Sequence, residues 1–128
     1  MQYRRHYQKG ATYFFTINLA DRSSDLLVKE IATLRQSFKL VKQKHPFYID
    51  AIVILPDHLH MLCTMPNNDA DFSKRIKLIK YYFSYNIAKT ESISSSRLKK
   101  NERGIWQRRF WEHCIRDESD YRAHIDYI

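Results

Sequence analysis

Apolar residues along this chain fall into runs of two different periods. "YFFTINL" (Tyr13–Leu19) is dense in aromatic and β-branched side chains and predicts a strand. In the following "SSDLLVKEIATLRQSFKLVKQKHP", Leu27, Ile31, Leu34, Phe38 and Val41 recur at spacings of three and four, which is one face of a helix. Ser24 or Asp25 is placed to cap its start, and Pro46 lies beyond its end. "FYIDAIVILPDHLHMLCTM" reads as two strands joined at Pro56-Asp57, because proline presets a turn and cannot donate to a sheet ladder. "DADFSKRIKLIKYYFSYNIAKT" is helical again, with Phe72, Ile76, Ile79 and Phe83 on one side. The polar "ESISSSRLKKNERG" predicts a loop, and "RFWEHCIR" alternates like a short strand. "DESDYRAHIDYI" opens with acids suited to a helix N-terminus and carries a stripe of Tyr121, Ile125 and Ile128.

The order is β-α-β-β-α-β-α, with no internal repeat and no linker, so residues 1–128 are expected to form one domain. Its first six elements fit the ferredoxin-like βαββαβ pattern, an α+β fold. Four strands then make one antiparallel sheet with two helices on one face. The first and third strands are central, and a last helix follows.

The third strand, "LPDHLHM", poses a chemical question. Side chains alternate along a strand, so His58 and His60 share a face while Leu59, Met61 and Cys63 take the other. Cα atoms two residues apart lie about 6.5–7 Å from each other, which lets two imidazoles converge on one ion. Imidazole suits zinc, manganese and iron, and magnesium less well. Two solvated histidines on an open sheet are the simpler account of a lone HxH.

Charge narrows the choice. Lys and Arg number 22 against 14 Asp and Glu, a formal charge of +8. Such a surface favours a polyanion, either nucleic acid or an anionic membrane. No apolar run approaches 18 residues, and no long basic amphipathic helix exposes an apolar face, so a membrane role has no support. "MQYRRHYQKG" has positive charge without an apolar segment behind it and is not a signal peptide. Cys63 and Cys114 lack CxxC spacing and read as reduced cytosolic thiols. The densest basic stretch is "RLKKNERGIWQRRF", with Arg97, Lys99, Lys100, Arg103, Arg108 and Arg109 around Trp106 and Phe110. Cations that follow a backbone, interleaved with rings that stack on bases, suit single-stranded nucleic acid. Arg4, Arg5 and Lys9 near the N-terminus, and Lys74, Arg75, Lys77 and Lys80 on the second long helix, are further candidates for phosphate contact.

A metal beside a basic groove suggests phosphodiester chemistry, which then needs a nucleophile. No cysteine or serine arrangement supplies one, but nine tyrosines are present. A phenol can attack phosphorus and leave a covalent phosphotyrosine. Tyr127 falls on the flank of the last helix's apolar stripe, beside His124, where spacing alone favours an ordinary tyrosine at the edge of the core. His113 alternates on the last strand and is a candidate to approach the same site, as is His124.

These residues resemble a known family. "LPDHLHM" on a central strand, "WQRRFWEHCIRDESDYRAHIDYI" and the opening "YRRHYQKGATYFFTINLADR" are similar to the REP-associated tyrosine transposases of bacteria. These belong to the single-tyrosine branch of the HUH endonucleases, and the likeness covers essentially the whole chain. The resemblance implies that His58 and His60 are the HUH metal ligands for magnesium or manganese, and that Tyr127 is the nucleophile. It implies cleavage of single-stranded DNA at hairpins of repetitive extragenic palindromes. A 5′-phosphotyrosine and a free 3′-OH would form, and the hydroxyl could later rejoin strands without ATP. A cytoplasmic, nucleoid-associated protein acting as a monomer follows, with a dimer as the variant seen in related transposases. Relatives continue past the tyrosine with an Asn-Pro segment, whose amide side chain completes the metal site. Ile128 closes the sequence one residue after Tyr127, so the site is expected to lack that ligand, and a hairpin-binding protein with an incomplete catalytic site is the alternative expectation.

Overall fold

The computed structural model describes residues 7–89 and 103–128. Arg4, Arg5, Lys99 and Lys100 lie outside the described residues. Among the described residues there are four strands and four helices. They run β1 (Thr12–Asn18), α1 (Leu26–Lys29), α2 (Ile31–Lys44), β2 (Tyr48–Ile54), β3 (His58–Thr64), α3 (Phe72–Tyr85), β4 (Trp111–Cys114) and α4 (Glu118–Tyr127). The strands form one antiparallel sheet in the order β2-β3-β1-β4, so the first and third strands are central, as the α+β pattern requires.

The first predicted helix is divided. Glu30 adopts φ −107° and ψ 36° between α1 and α2. The short α1 is docked on the β2–β3 turn: the N–H of Leu27 donates to the carbonyl of Pro56 at 3.1 Å, and the Leu27 side chain is fully buried. Ser24 Oγ accepts from the N–H of Leu26 at 3.1 Å just before α1, while Asp25 at the N-cap makes no side-chain capping bond.

One face of the sheet makes the core. Tyr13, Phe15 and Ile17 of β1 pack with Leu59, Met61 and Cys63 of β3 beneath Leu34, Phe38 and Val41 of α2 and Phe72, Ile76, Ile79 and Phe83 of α3. Burial pushes the Cys63 thiol well above the usual range, so it is an inert core group. The registers that matter for the other face are Asn18 opposite His58, Thr16 opposite His60 and Trp111, and Phe14 opposite Leu62 and His113. Helix α4 lies across that second face. A bulge in β2 between Ile49 and Ala51 leaves Asp50 to accept from the hydroxyls of Thr64 at 3.0 Å and Tyr121 at 3.0 Å, which ties α4 to the sheet edge.

Candidate active site

The face opposite the core brings His58, His60 and Tyr127 together. The imidazoles of His58 and His60 lie edge to face with centroids 4.9 Å apart, and the Tyr127 ring is 5.2 Å from that of His60. Phe14 is the floor beneath them. Its ring stacks on His60 at 5.5 Å and also touches His124 at 4.7 Å and Tyr127 at 5.9 Å. Strand alternation and the Thr16–His60 register put the histidines here, and the phase of α4 puts Tyr127 above them. The phenol itself is open to solvent, with 66% of the residue exposed.

Hydrogen bonds orient both imidazoles. His58 Nδ1 is 2.8 Å from Asp57 Oδ1. Asp57 also accepts from the Arg22 guanidinium, and this contact first, then His58, holds its carboxyl down to about 2. Asp57 is therefore an acceptor only, so Nδ1 of His58 carries the proton and Nε2 presents a bare lone pair in the neutral ring. His60 Nδ1 lies 2.8 Å from Thr16 Oγ1. The Thr16 hydroxyl can donate or accept here; when it accepts, Nε2 of His60 is bare as well. Burial, and then the neighbouring His58, lower the affinity of His60 for a second proton. Two imidazoles on one strand, each with its Nδ1 engaged, could offer two nitrogen ligands to a divalent ion.

A second cluster pins α4 to β4. His113 Nε2 donates to Asp120 Oδ2 at 2.8 Å, and His124 Nδ1 donates to the Asp120 carbonyl at 2.8 Å and lies 3.3 Å from Oδ1. The two rings stack at 5.0 Å. The Arg116 backbone N–H donates to the same carboxylate at 2.9 Å; chiefly through this bond, with His113 adding to it, the carboxyl is held down to about 2. The ligand atoms of these three residues lie within 4.8 Å of one another, a spacing that could also hold a metal ion. His113 and His124, both expected near the site, thus border it and grip the helix that carries Tyr127. Asp57, Thr16, Phe14 and Asp120 were not singled out from sequence. Asp57 could have been, as the acid adjoining HxH; the others need the sheet register.

Several basic candidates sit elsewhere than expected. Arg75 is buried, 4% exposed, and its guanidinium donates to the carbonyls of His45, Pro46 and Asp71 and to the Asp69 carboxylate at 2.9–3.1 Å. It is a core tie between α3 and the α2–β2 connection, with no face toward a phosphate. Trp106 is buried too, edge-on to Phe83 with its indole N–H on Ser84 Oγ, so its ring is not open to a base. The Arg103 guanidinium donates to the carbonyls of Ser84, Ile87 and Ala88 at the C-terminus of α3, where it satisfies the helix end. Lys9, Lys74, Arg108 and Arg109 are exposed, as the phosphate-contact expectation requires.

Residues 10–128 match the family model described as "Transposase IS200 like". A REP-associated tyrosine transposase of Escherichia coli K12 is 46% identical over 127 residues, spanning 99% of this chain and 69% of the relative. A Haemophilus influenzae protein assigned to the same class is 45% identical over 127 residues, spanning 98% of this chain and 72% of its own. The chain belongs to the REP-associated tyrosine transposases. A solved REP-associated tyrosine transposase, bound to a REP hairpin, superposes with a TM-score of 0.83 at 44% identity, over 100% of this chain and 70% of that one. A Deinococcus radiodurans protein at 19% identity shares the fold, with a TM-score of 0.58 over 99% of this chain and 94% of its own. Members of this transposase family process DNA, and no helix among the described residues is long and apolar enough to cross a membrane.

Proposed function

We propose that this transposase cuts and rejoins single-stranded DNA at palindromic repeat hairpins, with Tyr127 as the nucleophile and His58 and His60 as ligands of a magnesium or manganese ion. The observation that carries the reading is the Tyr127 ring 5.2 Å from His60, over two imidazoles whose Nδ1 atoms are already engaged. Bound at His58 and His60, a divalent ion supplies Lewis-acid polarisation of a phosphate oxygen and stabilises charge in the transition state. The phenolic oxygen of Tyr127 forms the new bond to phosphorus, and the bond from phosphorus to the 3′-oxygen breaks. The phenol proton leaves to solvent at the open mouth of the site, and the departing 3′-oxygen takes up a proton to become a free hydroxyl. The product is a 5′-phosphotyrosine, and attack by a 3′-OH on that phosphorus reverses the step and frees Tyr127. The +8 charge and the hairpin bound by the structural relative support the substrate class.

The test is a denaturing gel of the protein with labelled single-stranded hairpin DNA, with manganese, magnesium or chelator. A metal-dependent protein–DNA band that vanishes in Tyr127→Phe is the expected result. Hairpin binding with no band under any ion would leave a binding protein with an incomplete site. Cleavage that survives Tyr127→Phe would indicate attack by water.

A further inference from the structure

Helix α4 carries Tyr127, yet none of its residues is fully buried, so apolar packing alone holds it weakly. Its grip on β4 is polar. His113 comes from the strand, and Asp120 and His124 come from one face of the helix, one turn apart. The Asp120 side chain is 7% exposed, and the two rings beside it are 29% and 23% exposed. The carboxylate divides its oxygens between them. Oδ2 accepts from His113 Nε2 and from the Arg116 N–H, whereas Oδ1 faces His124 Nδ1 at 3.3 Å. One ligand atom from each of the three residues lies within 4.8 Å of the others. Donors held by zinc at about 2.0–2.1 Å in a tetrahedron are about 3.3 Å apart, so small rotations of the rings and the carboxylate bring these three onto one ion. The Arg116 guanidinium is 3.4 Å from Oδ2 but its side chain is 77% exposed, so water screens its charge.

We propose that His113, Asp120 and His124 bind a second divalent ion, of which zinc is the best match, and that this ion staples α4 to β4. Two imidazoles and one carboxylate are zinc ligands, with a fourth position left to water. The set suits magnesium poorly, because that ion keeps to oxygen. On binding, each neutral ring carries its proton on its outer nitrogen, Nδ1 of His113 and Nε2 of His124, and the ion takes the place of the inward proton. His124 then gives up its bond to the Asp120 carbonyl. The site is separate from the pair on β3. Phe14, on the strand between β3 and β4, lies between the two, touching His60 and His124. The ion's role is to hold the helix, whether or not Tyr127 attacks phosphorus. Because His124 stands one turn before Tyr127, the staple also fixes the turn that presents the phenol.

The experiment strips the full chain with chelator, removes the chelator, and titrates Zn²⁺ by calorimetry. The background is His58→Ala with His60→Ala, which leaves the α4 cluster intact. This double variant is expected to take up one Zn²⁺ per chain. Adding His124→Ala should weaken that uptake by about a hundredfold or more, beyond the roughly 10- to 100-fold cost of losing only an outer partner of a ligand. Excess Zn²⁺ should raise the melting temperature of the double variant by about 5 °C or more and leave that of the triple variant unmoved. A cluster that only hydrogen-bonds shows neither the uptake nor the zinc-dependent shift. Should His124→Ala fail to fold by circular dichroism, His124→Gln replaces it, keeping hydrogen-bonding groups without the imidazole. Should the double variant itself fail to fold, the wild type serves, and His124→Gln is expected to lower its zinc uptake by one equivalent. A folded double variant that takes up no Zn²⁺ overturns the proposal, as does uptake that the His124 substitution leaves unchanged.

Discussion

The Tyr127 ring stands edge-on to His60, centroids 5.2 Å apart and planes at 72°. This contact, like the one to Phe14, is made by the ring and does not require the hydroxyl. Removal of the oxygen alone should therefore leave the packing intact. Tyr127→Phe is expected to unfold within about 0.5 kcal/mol of the wild type, as exposed substitutions generally do. Thermal melts of the two proteins side by side check this, and they establish whether a lost adduct reflects lost chemistry or lost structure.

Thr16 acts on the proposed metal site through His60. Thr16→Val keeps the shape and removes the oxygen 2.8 Å from His60 Nδ1, so the ring loses the partner that orients it. Affinity for manganese should fall roughly 10- to 100-fold, the usual cost of losing such a partner. Titration calorimetry measures it, and hairpin affinity in chelator should stay unchanged.

Asp120 makes the docking of α4 sensitive to acid. Its carboxyl is held down to about 2 in the folded protein, against about 3.9 when unfolded. A depressed carboxyl adds stability that is fully present above about pH 4 and is lost as pH falls toward 2. Melting temperature should drop across that window, and Asp120→Asn should flatten the drop. If the two proteins show parallel pH profiles from 5 to 2, the carboxylate does not hold the helix.

Arg75→Ala tests the reassignment of that residue from DNA contact to core tie. Removing the guanidinium leaves the partly buried carbonyls of His45 and Pro46 without their donor, and should cost roughly 2 kcal/mol. Denaturant unfolding measures the loss. Among molecules that remain folded, hairpin affinity should match the wild type.

The element order and the two-sided character of β3 were legible in the sequence because both are periodicities. Leu59, Met61 and Cys63 alternate with His58, His60 and Leu62, and only one register buries the first set. The phase of the last helix gave Tyr127 a position but not its neighbours. What remained hidden depends on contacts between distant segments. Arg75 looks like any cation on a basic helix until Asp69 and the chain near His45 fold against it. Trp106 sits among arginines in sequence, yet its backbone bridges Leu19 and its ring meets Phe83. Thr16 becomes a partner of His60 only through strand pairing across 44 residues of chain.

The alternation in β3 also determines which errors the chain can survive. Deleting one residue between His60 and Cys63 would reverse the facing of everything beyond the lesion. The strand would then have to choose between a greasy underside and an intact pair of imidazoles. Point substitutions on the open face carry no such penalty, so the chemistry can drift while the scaffold endures. Insertions or deletions within this strand should be lethal to both at once.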